Sequence, residues 1–339
     1  MNSSTIRFGL IGAGRIGKIH AENLVNRIAG TQVVILSDIN KMECDRVAEQ
    51  LKISQTTTDF REVLRHPDVD AIAVCSSTNT HFDIIMRAAE AGKHIFCEKP
   101  IDLSVEKIQQ IDETIRRIGV TLMVGFNRRF DANFSKIREL VTAGTVGDPH
   151  VLKITSRDPA PPPEAYIRSS GGLFLDMTIH DFDMARYLID SKVVEVYAQG
   201  RVLVDPVFEK AGDIDTAVVM LNYENGALAV IDNSRQAVYG YDQRVEIFGS
   251  KGMATVTNNT PDNHIFIDTN GTHSALPLNF FLERYVDSYL TEMRAFVDCM
   301  INNSKPPVTT RDGLMSVAIG LAANVSIREH RPVRMSEIL

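Results

Sequence analysis

Ile95-Phe96-Cys97-Glu98-Lys99-Pro100 sets a base at the abrupt end of an apolar run. Ile95 to Cys97 reads as a short buried strand. Pro100 has no N–H for a ladder and restricts Lys99 before it, so the strand must stop there. In an open parallel sheet, ligands bind just beyond the carboxyl ends of the strands, and a lysine fixed at that edge is placed for chemistry. A second reactive group is Asp176, His180 and Asp183, spaced i, i+4 and i+7 in a helical stretch predicted from Leu173 to Leu188, behind Gly171-Gly172. That spacing aligns the three along one helix face. The other faces carry Leu175, Met177, Ile179, Phe182, Met184 and Leu188, so the helix is expected to be mostly buried, with its polar stripe along a cleft wall. A histidine titrates near pH ~6.5, which makes His180 the natural proton acceptor. Asp176, one turn away, can orient it or stabilise its charged form. Removing a hydride from a secondary alcohol requires a base for the hydroxyl proton, and these residues supply one.

The elements that must position these groups alternate in the first part of the chain. Ile6 to Ile11 is a β-branched apolar strand, followed at once by Gly12-Ala13-Gly14-Arg15-Ile16-Gly17 and an amphipathic stretch from Lys18 to Ile28. Strand, GxGxxG and helix is the context in which glycines admit a pyrophosphate to a helix N-terminus. A second strand, Gln32 to Ser37, ends at Asp38, where a carboxylate accepts hydrogen bonds from ribose hydroxyls and repels a 2′-phosphate. Ile39 and Asn40 follow, with no arginine for that phosphate, so NAD is expected rather than NADP. Helical patterns at Lys41–Leu51 and Asp59–Arg65 precede a strand at Ala71–Cys75 and a polar loop, Ser76 to His81, in which Asn79 or Thr80 is expected to cap the next helix. Ser104 opens another helix, and Val120–Phe126 is a further strand. Repeated βα units predict an α/β Rossmann fold, a doubly wound parallel sheet, over residues 1–126.

From 127 to 339 the pattern changes to an α+β domain with an open mixed sheet. A helix at Ala132–Val141 and a strand at His150–Ser156 precede a stiff loop, Arg157 to Pro163. After the Leu173–Leu188 helix come strand-like runs at Val193–Val204, Thr216–Tyr223, Ala227–Ser234, Arg244–Phe248 and Met253–Thr257, two of them joined by an Asn225-Gly226 turn. Helices at about Phe280–Asn302 and Arg311–His330 close the chain. The net charge of −7 without a basic block excludes a nucleic-acid footprint, and no apolar run suits a membrane span. Four cysteines without metal-ligand spacing argue against a metal site. Residues 1–5 lead straight into the first strand, so a soluble, cytoplasmic protein is expected.

Gly12-x-Gly14-x-x-Gly17, Cys97-Glu98-Lys99-Pro100 and Gly171-Gly172-x-x-x-Asp176-x-x-x-His180-Asp181 together resemble the glucose–fructose oxidoreductase/inositol dehydrogenase family, over essentially the whole chain. Within it, Ser156 to Pro163, Gly125-Phe126-x-Arg128-Arg129-Phe130-Asp131, Tyr239 to Asp242 and Phe281-x-Glu283-Arg284-Tyr285 are similar to the inositol 2-dehydrogenase branch. The resemblance implies NAD-dependent oxidation of myo-inositol to 2-keto-myo-inositol (scyllo-inosose), a step of inositol catabolism, by a homotetramer associating through the second-domain sheet. It implies that Lys99 hydrogen-bonds the reacting hydroxyl, that His180 is the general base, and that Asp176 is its charged partner and a substrate ligand. Asp158, Tyr241 and Tyr285 would hold other ring hydroxyls; for the two tyrosines, a packed ring with its hydroxyl at the surface is an equal reading. Gly12, Ala13, Gly14, Arg15, Ile16, Asp38, Ser76 and Lys99 itself would bind the cofactor, with Asn79, His81 and Glu98 at its nicotinamide half and Arg129 near cofactor and substrate. Scyllo-inositol, chiro-inositol or a pyranose would satisfy the same residues, and a non-catalytic NAD-binding regulator is the reading from another class.

Overall fold

The computed structural model describes residues 5–339. The chain divides into two compact units: residues up to Phe130 together with Asp287–Met315, and Asp131–Val286 together with Ser316–Leu339. The sequence suggests a single boundary after residue 126; instead the first unit takes back a segment from far along the chain. In that segment Phe296 packs on Phe8 and Phe96, with ring centroids 6.1 and 5.9 Å away.

The first unit is built on β1 (Ile6–Ile11), β2 (Thr31–Ser37), β3 (Gln55–Thr57), β4 (Ala71–Val74), β5 (His94–Glu98) and β6 (Leu122–Gly125), in the order β3-β2-β1-β4-β5-β6. Every pairing is parallel. β4 and β6 are buried along their whole length, as expected for strands covered on both faces. The strand order reverses between β1 and β4, which opens the crevice where such sheets take ligands. The crossovers are α1 (Arg15–Glu22), α2 (Lys41–Leu51), α3 (Phe60–Arg65), α4 (Thr78–Glu90) and α5 (Val105–Ile118). α1 starts earlier than the amphipathic pattern suggests, and its end widens into a π turn over Asn23–Arg27. Ser104 caps α5 by accepting from the Lys107 N–H. The cap of α4, however, is neither Asn79 nor Thr80. Ser77 is the extended N-cap residue, and the Thr80 hydroxyl donates to the Ser77 carbonyl at 2.7 Å instead of receiving a backbone N–H.

The second unit carries α6 (Ala132–Thr142), β7 (Pro149–Arg157), α7 (Glu164–Ile167), α8 (Gly172–Asp176), α9 (Ile179–Leu188), β8 (Val193–Arg201), β9 (Thr216–Tyr223), β10 (Leu228–Ser234), β11 (Asp242–Gly249) and β12 (Gly252–Val256). With β15 (Val333–Arg334) the strands form a mixed sheet ordered β12-β11-β7-β10-β9-β8-β15. Only β7 and β10 pair in parallel; the other neighbours are antiparallel. The Asn-Gly turn joins β9 to β10, with Gly226 at φ 87° where a side chain would be strained. One sheet face is apolar and buried through Leu152, Ile154, Val219, Leu221, Ile231 and Ile247. The other leaves Val218, Met220, Leu228 and Phe248 exposed. An exposed hairpin not foreseen from the sequence, β13 (Ile265–Asp268) with β14 (Gly271–Ser274), follows β12.

Two expected helices are broken. Leu173–Leu188 is not continuous: α8 ends at Asp176 and α9 begins at Ile179, so Asp176 does not share a helix face with His180 and Asp183. The break is at Thr178, whose N–H reaches back five residues to the Leu173 carbonyl while its hydroxyl donates to Asn233 Oδ1 at 2.8 Å. A threonine hydroxyl drawn to a partner outside its helix competes with helical geometry. The stretch from Phe280 likewise divides at Tyr285 into helices Phe281–Arg284 and Val286–Asn302, before the last helix at Thr310–Glu329.

Candidate functional site

In the first unit the glycine loop joins the ends of β1 and β4. Gly12 sits at φ 104°, and a Cβ there would lie 2.6 Å from the Cys75 carbonyl. A Cβ on Gly17 would meet the Gly12 carbonyl oxygen at 1.9 Å. Gly14 differs: no atom lies within 4 Å of where its Cβ would be, so open space stands over the loop at the start of α1. This is the division of labour a pyrophosphate site requires. Gly12→Ala adds backbone strain of about 1–3 kcal/mol and pushes the two strand ends apart. We expect at least tenfold weaker NAD binding in calorimetric titration, with a lowered melting temperature.

At the end of β2, Asp38 accepts the Ala13 N–H on Oδ2 at 2.6 Å and the Asn40 N–H on Oδ1 at 2.8 Å. Its carboxylate is thereby fixed beside the loop, and neighbouring Ile39 is 94% exposed, an apolar surface suited to a flat base. The residues present fit a dinucleotide with free ribose hydroxyls. Asp38→Ala removes the repulsion toward a 2′-phosphate, so the NAD/NADP ratio of kcat/KM is expected to fall about tenfold or more in parallel assays.

Lys99 stands half-buried one residue beyond the sheet edge, where β5 and β6 end with Glu98 paired to Gly125. A Cβ on Gly125 would come within 3.1 Å of Glu98 Cδ, so the glycine leaves room for the acid. Glu98 Oε1 in turn lies 2.8 Å from His20 Nε2 on α1. His81 is buried between the Ser76 and Pro100 carbonyl oxygens, 2.9 and 2.8 Å from its ring nitrogens. Burial pushes its pKa below the usual histidine value, and in the neutral form it donates to one of the two carbonyls. Glu98 and His81 thus brace the walls of the crevice with their side chains. Asn79 is exposed on the first turn of α4, and the Ser76 hydroxyl pairs with that of Thr80 at 2.7 Å. Arg129, in a 3₁₀ turn after β6, binds Asp312 at 2.9 Å.

The second unit gathers its own set at one edge of the mixed sheet. Parallel β7 and β10 end there and antiparallel β11 begins there, which brings Asp158, Arg235 and Tyr241 to the same rim. Arg235 is buried and binds Asp176 at 2.9 Å and Asp158 at 3.2 Å. Burial opposes its charge, but Asp176 and then Asp158 hold its pKa above the usual arginine value. The Tyr166 hydroxyl donates to Asp176 Oδ1 at 2.8 Å. Neither Arg235 nor Tyr166 is apparent from sequence spacing; the only hint of Arg235 is a charge directly after an apolar strand. His180 is half-buried in the first turn of α9, flanked by fully buried Asp181, which accepts from Asn233 Nδ2 at 2.8 Å. Tyr241 and Tyr285 are both buried and meet edge to face at 6.0 Å, and the Arg284 guanidinium lies over the Tyr285 ring while pairing with Asp131. The first unit thus holds a glycine loop with a lysine at the sheet edge, and the second an acid–arginine network and a half-buried histidine.

Residues 6–126 match the family described as oxidoreductase, NAD-binding Rossmann fold, and residues 134–255 match the GFO/IDH/MocA C-terminal domain. The chain belongs to the GFO/IDH/MocA family. This family member is similar to a myo-inositol 2-dehydrogenase of Thermotoga maritima, 50% identical over 98% of this chain and 100% of the relative. It is 42% identical to an inositol 2-dehydrogenase of Rhizobium meliloti, over 98% of this chain and 100% of that one. Among solved structures it resembles scyllo-inositol dehydrogenase from Lactobacillus casei with bound NAD(H) and scyllo-inositol, at 31% identity and a TM-score of 0.91, covering 98% of this chain and 99% of that one. The GFO/IDH/MocA protein is thus an NAD-dependent oxidoreductase, with the Rossmann sheet and mixed-sheet domain its sequence predicts. Among the described residues, no helix is long and apolar enough to cross a membrane.

Proposed function

We propose that the protein oxidises myo-inositol to 2-keto-myo-inositol (scyllo-inosose). The observation that carries this is half identity, over the full length, to a myo-inositol 2-dehydrogenase, in a chain that carries Lys99, Asp176 and His180. Gly12, Ala13, Gly14, Arg15, Ile16, Asp38, Ser76 and Asn79 hold NAD, with Arg129 close by and Glu98 and His81 bracing the nicotinamide end. When bound, NAD would supply the acceptor for the hydride of the carbinol carbon. Lys99 donates a hydrogen bond to the reacting hydroxyl and favours its deprotonation. His180 takes the proton, the O–H electron pair becomes the second C–O bond, and the C–H pair departs with the hydride. Asp176 supports the imidazolium and binds substrate, its own orientation fixed by Arg235 and Tyr166. Asp158, Tyr241 and Tyr285 hold the remaining ring hydroxyls. The exposed apolar sheet face around Val218, Met220, Leu228 and Phe248 supports association into a homotetramer. The unpaired thiols of Cys44, Cys75, Cys97 and Cys299 suit the cytoplasm.

The test is NADH formation with myo-, scyllo- and chiro-inositol and glucose, each with NAD and with NADP. Preferential turnover of myo-inositol with NAD supports the reading. Turnover of scyllo-inositol instead, which the likeness to the Lactobacillus casei structure favours as a second reading, keeps the mechanism and moves the error to the Asp158 and tyrosine contacts. NAD binding without reduction by any of them makes an NAD-binding regulator the better account.

A further inference from the structure

Behind the Glu98-Lys99-Pro100 turn, three ionisable side chains meet away from solvent. His20 Nε2 lies 2.8 Å from Glu98 Oε1 and 3.9 Å from Oε1 of Glu292 on helix Val286–Asn302. His20 and Glu292 are fully buried and Glu98 is 9% exposed. One nitrogen or oxygen atom from each of the three lies within 4.8 Å of the others. Among the described residues, neither Glu292 oxygen has a hydrogen-bond donor. The surroundings are aromatic: Phe96 and Tyr289 pack edge-on against the His20 ring at 4.8 and 5.8 Å. Two ionised carboxylates this close, in this medium, repel each other and leave acceptors unmet. A proton on one of them removes the repulsion and creates a donor. Glu98 already has His20 at hydrogen-bond distance, whereas for Glu292 the same ring nitrogen lies 3.9 Å away.

We propose that Glu292 is a neutral carboxylic acid packed against the Glu98–His20 pair, and that it is thereby a positioning residue for Lys99, the residue after Glu98. Burial, and behind it the charge of Glu98, pushes the Glu292 carboxyl well above the usual carboxylate range. The ionisable groups facing it are His20 on α1, Glu98 on β5 and Cys75 after β4, with Tyr289 of its own helix packed on the His20 ring. Burial pushes the Cys75 and Cys97 thiols well up, so they stay neutral and add no further negative charge. The cluster joins three pieces of the cofactor unit: α1 beneath the glycine loop, the lysine turn, and a helix arriving from near the chain's end. The kinetic consequence rests on the role proposed for Lys99. The spectroscopic and thermal consequences do not, so the two can fail separately.

Infrared spectra of the holoenzyme at neutral pH are expected to show the C=O stretch of a buried carboxylic acid, absent in Glu292→Gln. In the wild type the folded state keeps a proton that the unfolded chain releases above about pH 4.3, so this group's stability contribution falls as pH rises. Glu292→Gln has no such loss, and its melting temperature is expected to gain on the wild type between about pH 5 and pH 8. In kinetics, Glu292→Leu is expected to lower kcat about tenfold with KM little changed, and Glu292→Gln, which keeps a donor, to restore most of it. A missing acid band, a pH-independent melting difference, or a stoichiometric divalent cation in the purified protein overturns the proposal. The band and the metal content are read on the wild type, so they decide even if Glu292→Leu does not fold.

Discussion

Lys99→Ala is expected to lower kcat with myo-inositol by about 10³-fold, within the range of about 10²–10⁴ for a positioned proton-transfer group. NAD titration should be little changed, because the glycine loop and Asp38 are untouched and Lys99 lies one residue past the strand edge. Only the interaction with the reacting oxygen is removed, so kcat and kcat/KM should fall together. Lys99→Arg keeps the charge but not the compact ammonium, and is expected to recover little. Turnover within tenfold of wild type in Lys99→Ala would show that the hydroxyl is activated elsewhere, with His180 the first place to look.

Arg235→Met is expected to have the largest effect on stability. The guanidinium holds Asp158 and Asp176 at 3.2 and 2.9 Å and is itself almost wholly buried. Removing it leaves two carboxylates facing each other without a cation, and breaking a buried pair from one side costs about 3–5 kcal/mol. For a unit of this size, about 2–4 °C per kcal/mol puts the fall in melting temperature near 10 °C. Adding Asp158→Asn to Arg235→Met removes one of the stranded charges and should recover part of the loss, a coupling that independent sites do not show. A shift under about 2 °C for the single variant contradicts the network.

What the sequence makes legible is what its local order fixes. Gly12, Gly14, Gly17 and Asp38 fall on two successive strand ends, and Lys99 is marked by the apolar run before it and the proline after it. The α8–α9 break is hidden because its cause, Asn233, lies 55 residues beyond Thr178. Periodicity alone therefore merges two helices and draws a stripe of Asp176, His180 and Asp183 that does not exist as one face. Arg235 is hidden for the same reason: it meets Asp158 only because β7 and β10 pair in parallel, 77 residues apart. His20 and Glu292 look like surface residues on amphipathic helices until the helix Val286–Asn302 is folded back beside β5.

That return of Asp287–Met315 to the first unit bears on how the protein is made. During synthesis the six-stranded sheet leaves the ribosome long before the helix that covers Phe8 and Phe96. Until Phe296 has emerged, that aromatic surface and the His20–Glu98 pair lack their covering. The nucleotide-binding half is thus the first to be translated and among the last to be finished, and a chain truncated before residue 287 exposes an apolar patch suited to chaperone capture.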